Sequence, residues 1–317
     1  MNLQTKINLE KQSKSLIDYN SNIFLLGSCF SENIGNTLNY FKFQNIQNPF
    51  GILFHPKAIE HVIENAVNQK QYSEENVFFY NEQWHCFDAH SKISSASKQD
   101  LINELNSKLK LTSEAIQNST HIIITLGTAW VYRDIKTNNS VANCHKVPQK
   151  QFSKELLSVK DIATSLKKIV DLIRSVNSKI HLIFTVSPVR HLKDGFIQNT
   201  QSKAHLITAI HKLINPMGFG AFYFPSYEIM MDELRDYRFY EDDMIHPSQL
   251  AIKYIWEKFK TVWFSDESFK IMQEVETIQK GLQHKPFNSN SESYQKFIQK
   301  LKAKKSQLKN QFPHILF

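Results

Sequence analysis

Four short apolar runs, each stopped by glycine, serine or proline, alternate with longer amphipathic stretches along the chain. The runs cover residues 23–26, 121–126, 181–186 and 221–224. Apolar runs of this length, bounded by turn-forming residues, are typical of strands buried on both faces of a parallel sheet. A shorter strand over residues 43–46 completes a predicted set of five strands.

Apolar residues at helical spacing follow most of these runs. The spacing predicts helices over residues 31–41, 161–176, 202–214 and 247–259. Ser31 is placed to cap the first of these helices, and Pro247 suits the first turn of the last. Strands that alternate with helices predict a three-layer α/β/α fold, with a five-stranded parallel sheet between two layers of helices.

Two segments stand outside this alternation. We interpret residues 52–120 as an insertion, because they contain a helical stretch over 56–67 and then a hairpin over 77–87. Two further helices are predicted after residue 264, over 266–282 and 292–309. The sequence therefore predicts one domain over residues 1–264 and a C-terminal helical extension over residues 265–317.

The net charge of the chain is +8, from 38 lysine and arginine residues and 30 acidic residues. A basic balance raises nucleic acid as a partner. Residues 285–317 alone carry seven lysines and one acid, which leaves only +2 for the rest of the chain. Because the sequence also holds no recognisable nucleic-acid-binding motif, we expect no nucleic-acid partner.

The composition narrows the class of protein further. A chain of 317 residues, 41% of them hydrophobic, is able to bury a large core, which excludes disordered and fibrous proteins. Three cysteines are too few for a disulfide framework. The first twenty residues hold no apolar run, so neither a leader nor a membrane-spanning segment is expected. We therefore predict a cytoplasmic protein with no membrane partner.

Polar residues follow the predicted strands at the edge of the sheet where ligands bind in open α/β folds. Ser28 lies on the turn between the first strand and its helix, where a hydroxyl is held beside backbone N–H groups. Asp243 and His246 are three residues apart before the last helix, so the carboxylate is able to orient the imidazole toward Ser28. The structural alternatives are that Ser28 only caps its helix and that Asp243 caps or approaches the final one.

Six short motifs together resemble the GSCFA domain family. They are Gly27-Ser28-Cys29-Phe30, Asn48-Pro49-Phe50-Gly51, Thr125-Leu126-Gly127-Thr128-Ala129-Trp130, Asn143-Cys144-His145-Lys146, Ser187-Pro188-Val189-Arg190-His191 and Asp243-Met244-Ile245-His246-Pro247. That family belongs with the SGNH/GDSL hydrolases, and the resemblance runs through most of residues 20–260. It implies a flavodoxin-like three-layer fold and ester hydrolysis by a Ser-His-Asp triad.

The resemblance implies roles for individual residues. Ser28 resembles the nucleophile of the first block, and Asp243 and His246 resemble the Asp-x-x-His pair of the last block. Gly51 is similar in placement to the second-block glycine, whose backbone N–H would bind the oxyanion together with the N–H of Ser28.

One oxyanion donor of the superfamily is missing from this sequence. The third block of the superfamily carries an asparagine donor after its glycine, whereas Gly127 is followed here by Thr128 and Ala129. The Thr128 hydroxyl, or Asn143 from a nearby loop, is the expected replacement. The question matters because losing such a donor typically costs about 10²–10³ in rate.

Trp130, His145, Arg190 and His191 are the expected substrate-binding residues. Arg190 and His191 end the fourth predicted strand, where they would meet a substrate carboxylate or a sugar hydroxyl. An internal pairing of Arg190 with a nearby aspartate is the alternative.

Two other chemistries compete with the triad. The first is a metal site, for which the candidate ligands are His85, Cys86, Asp88, His90, Cys144 and His145. Because these residues lack familiar zinc spacing, we expect no metal and no cofactor. The second is Cys29 as the nucleophile, although its side chain is expected to face the core if Ser28 faces the cleft.

The sequence therefore predicts a serine hydrolase of the SGNH type that cleaves an ester, with an O-acyl group on a carbohydrate as the expected substrate. Transfer of the acyl group to a sugar hydroxyl by the same residues is one alternative. A catalytically silent module that binds a glycan or a partner protein is the other, because the third-block asparagine is missing.

Overall fold

The computed structural model describes residues 4–215 and 220–317. Residues 1–3 and 216–219 of the predicted first domain lie outside this described part. The strands within it are β1 (Asn22–Gly27), β2 (Gln44–Gln47), β3 (Phe78–Tyr80), β4 (Gln83–His85), β5 (His121–Leu126), β6 (Trp130–Asp134), β7 (Ser140–Val141), β8 (Phe152–Leu156), β9 (His181–Val186) and β10 (Ala221–Phe224).

Helices connect and cover these strands. They are α1 (Cys29–Tyr40), α2 (Pro56–Val67), α3 (Lys98–Asn118), α4 (Val159–Val176), α5 (Phe196–Ile214), the single turn α6 (Ser226–Glu228), α7 (Gln249–Trp263), α8 (Asp266–Gln283) and α9 (Glu292–Gln311). Short 3₁₀ turns lie at Glu74–Asn76, Gln149–Gln151, Leu192–Asp194 and Tyr237–Phe239, and a π-helical turn at Ile229–Glu233 follows α6.

Five parallel strands form the central sheet in the order β10-β9-β5-β1-β2. Counted among these five strands along the chain, this order is 2-1-3-4-5 read from the β2 edge, the flavodoxin-like arrangement. Its strand order reverses between β1 and β5, and ligands bind beyond the carboxyl ends of the strands at such a point. The sequence prediction of a five-stranded parallel sheet is therefore confirmed.

Side chains alternate between the two faces of each strand, and each face has its own core. Phe24 and Leu26 of β1 belong to a cluster covered by α2, α3, α4 and α5. Ile23 and Leu25 of the same strand belong to a second cluster, covered by α1, α7 and α8. The sheet is thus buried on both faces, which explains why its strands consist of unbroken apolar runs.

Several helix starts differ from the sequence prediction. Helix α1 begins at Cys29 because the Ser28 hydroxyl accepts the backbone N–H of Phe30 (3.3 Å), while Ser31 donates its hydroxyl to Leu26 O. Helix α7 begins at Gln249, after its cap Ser248, and Pro247 pairs instead with Tyr240 in an isolated antiparallel bridge. Helix α5 also begins earlier than predicted, at Phe196.

The sequence prediction missed one helix and one small sheet. Helix α3 lies within the predicted insertion over 52–120, and α2 and α3 pack in the same layer as α4 and α5. Strands β6, β7 and β8 form a separate antiparallel sheet in the order β7-β6-β8. This second sheet follows β5 directly, so it lies beside the carboxyl ends of the central strands.

Helices α8 and α9 bury one side against the rest of the chain. Val275 and Ile278 of α8 and Leu301 and Leu308 of α9 join the core cluster that also covers one face of the central sheet. The lysines of α9 lie mainly on its exposed side. None of the helices in residues 4–215 and 220–317 has the length and apolar character needed to cross a bilayer.

Candidate active site

Ser28 occupies the turn that joins β1 to α1. Gly27 precedes it with φ of +129°, and a Cβ at that position would lie 2.0 Å from the carbonyl oxygen of Thr125, so only glycine fits. The Ser28 side chain is buried, and its hydroxyl serves as the cap of α1. The helix-capping alternative is therefore realised in this structure, at the same position where a nucleophile is expected.

Asp243 and His246 form a hydrogen-bonded pair on the loop before α7. Asp243 Oδ2 lies 2.6 Å from His246 Nδ1, and Oδ1 accepts the backbone N–H groups of Ile245 (2.8 Å) and His246 (2.9 Å). These hydrogen bonds to the carboxylate lower the pKa of Asp243 to about 2. The carboxylate thus holds Nδ1 of the ring, which leaves Nε2 as the nitrogen available to a substrate or nucleophile.

The loop that carries this pair is fixed to the carboxyl end of the central sheet. Glu241 N–H donates to His246 O (2.8 Å), and Arg190 N–H, just beyond β9, donates to Ile245 O (3.3 Å). Arg190 itself donates to the Tyr240 hydroxyl (2.8 Å), a neutral partner in place of the predicted aspartate. The imidazole therefore stands at the edge of the sheet that also holds Ser28.

No hydrogen bond joins Ser28 to His246 among the residues that the structure describes. The Ser28 hydroxyl is buried beside Phe30 N–H, whereas the His246 side chain is 50% exposed. The structure thus forms the carboxylate–imidazole half of the predicted triad and leaves the serine–imidazole half open. Catalytic hydrogen bonds are often long in free enzymes and tighten when substrate binds.

Both backbone donors expected for the oxyanion have acceptors within the protein. Ser28 N–H donates to Thr125 O (3.0 Å), which continues the pairing of β1 with β5. Gly51 N–H donates to Asn48 O (2.8 Å), which closes the turn after β2. Either N–H would have to exchange its present acceptor before it bound a substrate oxygen.

The two candidates for the third oxyanion donor lie in different settings. The Thr128 hydroxyl lies 3.1 Å from the Ser202 hydroxyl and accepts the backbone N–H of Trp130 (3.1 Å), so it serves the turn after β5. Asn143 Oδ1 accepts the backbone N–H of His145 (2.8 Å). Asn143 lines a cavity next to the site, and so does Thr128.

The four predicted substrate-binding residues come together in one cavity of about 670 Å³. Trp130, His145, Arg190 and His191 all line it, and so does Ile245, the neighbour of His246. Ser28, Gly51, Asp243 and His246 are not among its lining residues. The structure therefore places the predicted substrate residues around a cavity that adjoins the Asp243–His246 loop.

Two histidines in this cavity wall carry ring nitrogens without a hydrogen-bond partner. They are His145 Nδ1 and His191 Nε2. His145 Nε2 lies 2.7 Å from Cys86 O, and burial lowers the pKa of this histidine to about 4. Burial, followed by the charges of Lys203 and His246, lowers the pKa of His191 to about 3. Both rings are therefore neutral at pH 7 and are able to accept a hydrogen bond.

Sequence reasoning missed Asn48 as a functional candidate. Its Oδ1 accepts the backbone N–H of Gly27 (2.9 Å), one residue before Ser28, and its buried Nδ2 has no hydrogen-bond partner. An unpaired amide donor this close to the expected nucleophile suits an oxyanion donor. The signal was available, because Asn48 opens the same Asn-Pro-Phe-Gly motif that drew attention to Gly51.

Sequence reasoning also missed Lys203, a lysine of α5 that is only 1% exposed. Its ammonium donates to the carbonyl oxygens of Gly127 and Ser187, 2.8 Å each, and lies 5.4 Å from the ring centre of Tyr227. These two carbonyls directly follow β5 and β9, so one side chain ties together the ends of two central strands. Burial lowers the pKa of Lys203 to about 7.

The groups behind the alternative chemistries are engaged elsewhere. Burial raises the pKa of the half-buried Cys29 thiol, which opposes thiolate formation. His85 bonds to Ser94 and Tyr80, and Asp88 bonds to His61 and Tyr72. Within residues 4–215 and 220–317, no three His, Cys, Asp or Glu side chains are placed to hold a metal ion.

Comparison with known proteins gives two family matches. The model of the GSCFA family matches residues 22–259, well over half of the chain, and the model described as the C-terminal domain of GSCFA domain proteins matches residues 275–317. No curated protein matches the chain significantly.

Comparison with solved structures shows a distant likeness to an esterase. It is an acetyl xylan esterase from the rumen bacterium Butyrivibrio proteoclasticus, 9% identical in sequence, with a TM-score of 0.40. The match covers 84% of this chain and 66% of the esterase, just under two thirds of its length.

Proposed function

The chain belongs to the GSCFA family, and from this premise we propose that it is a serine hydrolase that cleaves an O-acyl ester on a carbohydrate. The observation that carries the proposal is the Asp243–His246 pair, in which a carboxylate bonded to Nδ1 leaves Nε2 free to act as a base. This pair stands at the same edge of the sheet as the buried turn that carries Ser28.

In the proposed reaction, Ser28 Oγ attacks the ester carbonyl carbon while His246 Nε2 takes the hydroxyl proton. The imidazolium then donates this proton to the leaving sugar oxygen, and an acyl-serine remains. A water molecule, deprotonated by the same nitrogen, releases the acid and restores Ser28. Asp243, with its pKa near 2, stays ionised throughout and stabilises the imidazolium.

The proposal requires the site to rearrange when substrate binds. Ser28 is fully buried, and its hydroxyl, which accepts the Phe30 N–H, must also come within donating distance of His246 Nε2, because no hydrogen bond joins the two side chains in the free protein. The side chains of Asp243 and His246 are about half exposed, so a change in their orientation does not require a packed core around them to open. We infer that the bound substrate draws the two groups together.

For the oxyanion, we propose the buried amide of Asn48 as a donor besides the expected ones. Its Nδ2 has no partner to give up, whereas the N–H groups of Ser28 and Gly51 must first leave Thr125 O and Asn48 O. Thr128 and Asn143 remain candidates for the third position. An Asn48 donor would supply the amide that the sequence lacks after Gly127.

Turnover of p-nitrophenyl acetate tests the proposal. We expect wild-type protein to release p-nitrophenol faster than buffer alone. Ser28→Ala is expected to release it at least about 10³-fold more slowly than the wild type. Cys29→Ala is the matched control, since it removes the neighbouring nucleophile candidate and is expected to retain turnover. Equal turnover by wild type and Ser28→Ala contradicts the assignment.

A catalytically silent module that binds a glycan is the second candidate function. Two observations favour the silent module. No hydrogen bond joins Ser28 to His246, and the N–H groups of Ser28 and Gly51 already donate to acceptors within the protein. Such a module would bind an acylated oligosaccharide and leave it intact over hours. Release of free acid from that oligosaccharide by wild type, but not by Ser28→Ala, contradicts the silent module. Acyl transfer would instead be seen as a new ester on an added sugar.

We also propose the division of the chain into a hydrolase domain over 1–264 and a helical extension over 265–317, in a cytoplasmic protein without a nucleic-acid partner. The three cysteines are unbonded, as is usual in a reducing compartment. The lysines that produce most of the net charge belong to the extension.

A further inference from the structure

The cavity beside the Asp243–His246 loop is strongly biased toward positive charge. Among the described residues that line it, the cations are Lys146, Lys154, Arg190 and Lys193, and the acid is Asp194. A concave site with a net charge of one sign concentrates ligands of the opposite sign.

Lys154 is the one of these cations whose charge is already compensated. Its ammonium pairs with Asp194 and lies 5.2 Å from the ring centres of both Trp130 and Tyr132. Ion pair and aromatic rings together form a fixed wall of the cavity, with Phe152 alongside. This wall offers a flat apolar surface beside a neutralised charge.

The remaining three cations have no acidic partner within the described residues. Lys146 and Lys193 are exposed at the cavity and form no ion pair. Arg190 donates to the neutral Tyr240 hydroxyl and lies over its ring, 4.7 Å from the ring centre. Three unpaired cations around one cavity repel each other, and a bound anion would relieve that repulsion.

The two histidines of the wall add neutral surface and no charge. His145 is 3% exposed and its Nε2 faces Cys86 O, so Nε2 carries the proton and Nδ1 is an acceptor without a partner. His191 Nε2 likewise lacks a partner. Both of these nitrogens are covered by protein atoms, so the charge that a ligand meets in the cavity comes from the lysines and the arginine.

We propose that this cavity binds an acidic sugar, whose ring packs against the aromatic side chains of Trp130 and Tyr132 and whose carboxylate or phosphate is held by Lys146, Lys193 and Arg190. The inference rests on the proposed function in one respect: the sugar is the alcohol part of the ester substrate, held in the cavity while its acyl group lies at Ser28. The substrate class is then an O-acylated carbohydrate with an anionic group, and neutral acylated sugars are poorer ligands.

Calorimetric measurement of sugar binding to the Ser28→Ala variant tests the acidic-sugar proposal without hydrolysis of an ester. The probes are a hexuronate trisaccharide, the uncharged trisaccharide of the same hexose, and the hexose 6-phosphate with inorganic phosphate as its control. We expect the uronate to bind at least about tenfold more tightly than the neutral sugar, the equivalent of one good charged contact. Tighter binding of hexose phosphate than of the uronate would identify phosphate as the anionic group.

Variants that remove one or two charges show which lysines hold the anionic group of the sugar. In the same Ser28→Ala background, Lys193→Gln is expected to reduce the preference for uronate over neutral sugar by about threefold, and Lys146→Gln with Lys193→Gln by about tenfold. Lys179→Gln removes an exposed lysine before β9, at the opposite end of the strands, and is expected to leave the preference unchanged. Added salt should weaken binding of the uronate and leave that of the neutral sugar unaltered.

The outcomes separate this inference from the proposed function. If p-nitrophenyl acetate is hydrolysed through Ser28 but uronate and neutral sugar bind equally, or neither binds, the acidic-sugar inference is wrong and the hydrolase assignment stands. If uronate binds preferentially and Lys193→Gln weakens it, yet no ester is cleaved, the hydrolase assignment fails and the acidic-sugar site stands. A preference that survives both lysine substitutions overturns the placement of the anion.

Discussion

Replacing Lys203 by methionine should make the stability of the protein respond differently to pH. The Lys203 pKa of about 7 in the folded state compares with an ordinary value of about 10.4. Between these two values the unfolded chain binds more protons than the folded one, so folding releases a proton there. The cost of burying this lysine is therefore complete below about pH 7 and declines as the pH rises toward 10.4.

The structure sets the size of this effect. A proton taken up fully on unfolding changes the free energy of unfolding by about 1.4 kcal/mol per pH unit, or about 3 kcal/mol between pH 7 and 9.5. The carbonyls of Gly127 and Ser187 and the ring of Tyr227 favour the ammonium, which reduces the change. We expect the wild type to gain about 2–3 kcal/mol relative to Lys203→Met over that range.

Urea unfolding of both proteins at several pH values between about 7 and 9.5 provides the measurement. Subtracting the free energy of unfolding of Lys203→Met from that of the wild type removes the contribution of cysteines and tyrosines, which also titrate in this range. Lys179→Met, at an exposed position, is the control and should give a constant difference. A difference between wild type and Lys203→Met that is flat, or that falls with pH, would refute the assignment of a lowered pKa to Lys203.

Three further predictions follow from individual contacts. Asp243→Asn keeps a backbone acceptor but cannot accept from His246 Nδ1, so turnover of p-nitrophenyl acetate should fall by about 10³–10⁴ in a protein that still folds; a loss below tenfold contradicts the orienting role. Asn48→Ala should lower kcat by about 10²–10³ with little change in KM, and a change confined to KM would assign Asn48 to binding instead. Gly27→Ala places a Cβ 2.0 Å from Thr125 O at a positive φ, so it should destabilise the protein by more than about 3 kcal/mol in urea unfolding; a loss below about 1 kcal/mol contradicts the tight turn.

The strands of the central sheet were predictable because burial on both faces makes them unbroken apolar runs. The predicted strands over 121–126, 181–186 and 221–224 coincide with β5, β9 and β10. Helix ends were less predictable, since several neighbouring serines compete as caps. The choice of Ser28 over Ser31 depends on the position of Leu26 O, which the folded chain supplies.

Elements outside the main layers were harder to predict. Helix α3 carries a helical pattern of Leu101, Leu105 and Leu109, but it follows a hairpin inside the segment over 52–120 that the sequence analysis interprets as an insertion. Strand β6 mixes aromatic and charged residues and is only half buried, so it lacks the apolar run that marked the central strands. Its pairing with β7 and β8 arises from tertiary structure.

The same distinction between local sequence pattern and tertiary structure applies to the candidate site. Sequence spacing was enough to place Asp243 and His246 in one pair, because a three-residue separation is local. The roles of Ser28 and His246 in catalysis stay predictions, since their meeting depends on two loops that are distant in sequence. Lys203 had no signal, because a lysine on a helix is normally solvated and only the folded structure shows its burial beneath two strand ends.

The most direct test of the proposed function is the site of covalent modification by a fluorophosphonate. This reagent phosphonylates a serine only when a base has activated its hydroxyl. Mass spectrometry of the digested protein should show one adduct on the peptide that contains Ser28, absent from Ser28→Ala and formed much more slowly in His246→Ala. A wild-type protein that takes up no adduct at Ser28, or takes it up equally without His246, would contradict the assignment of a serine hydrolase.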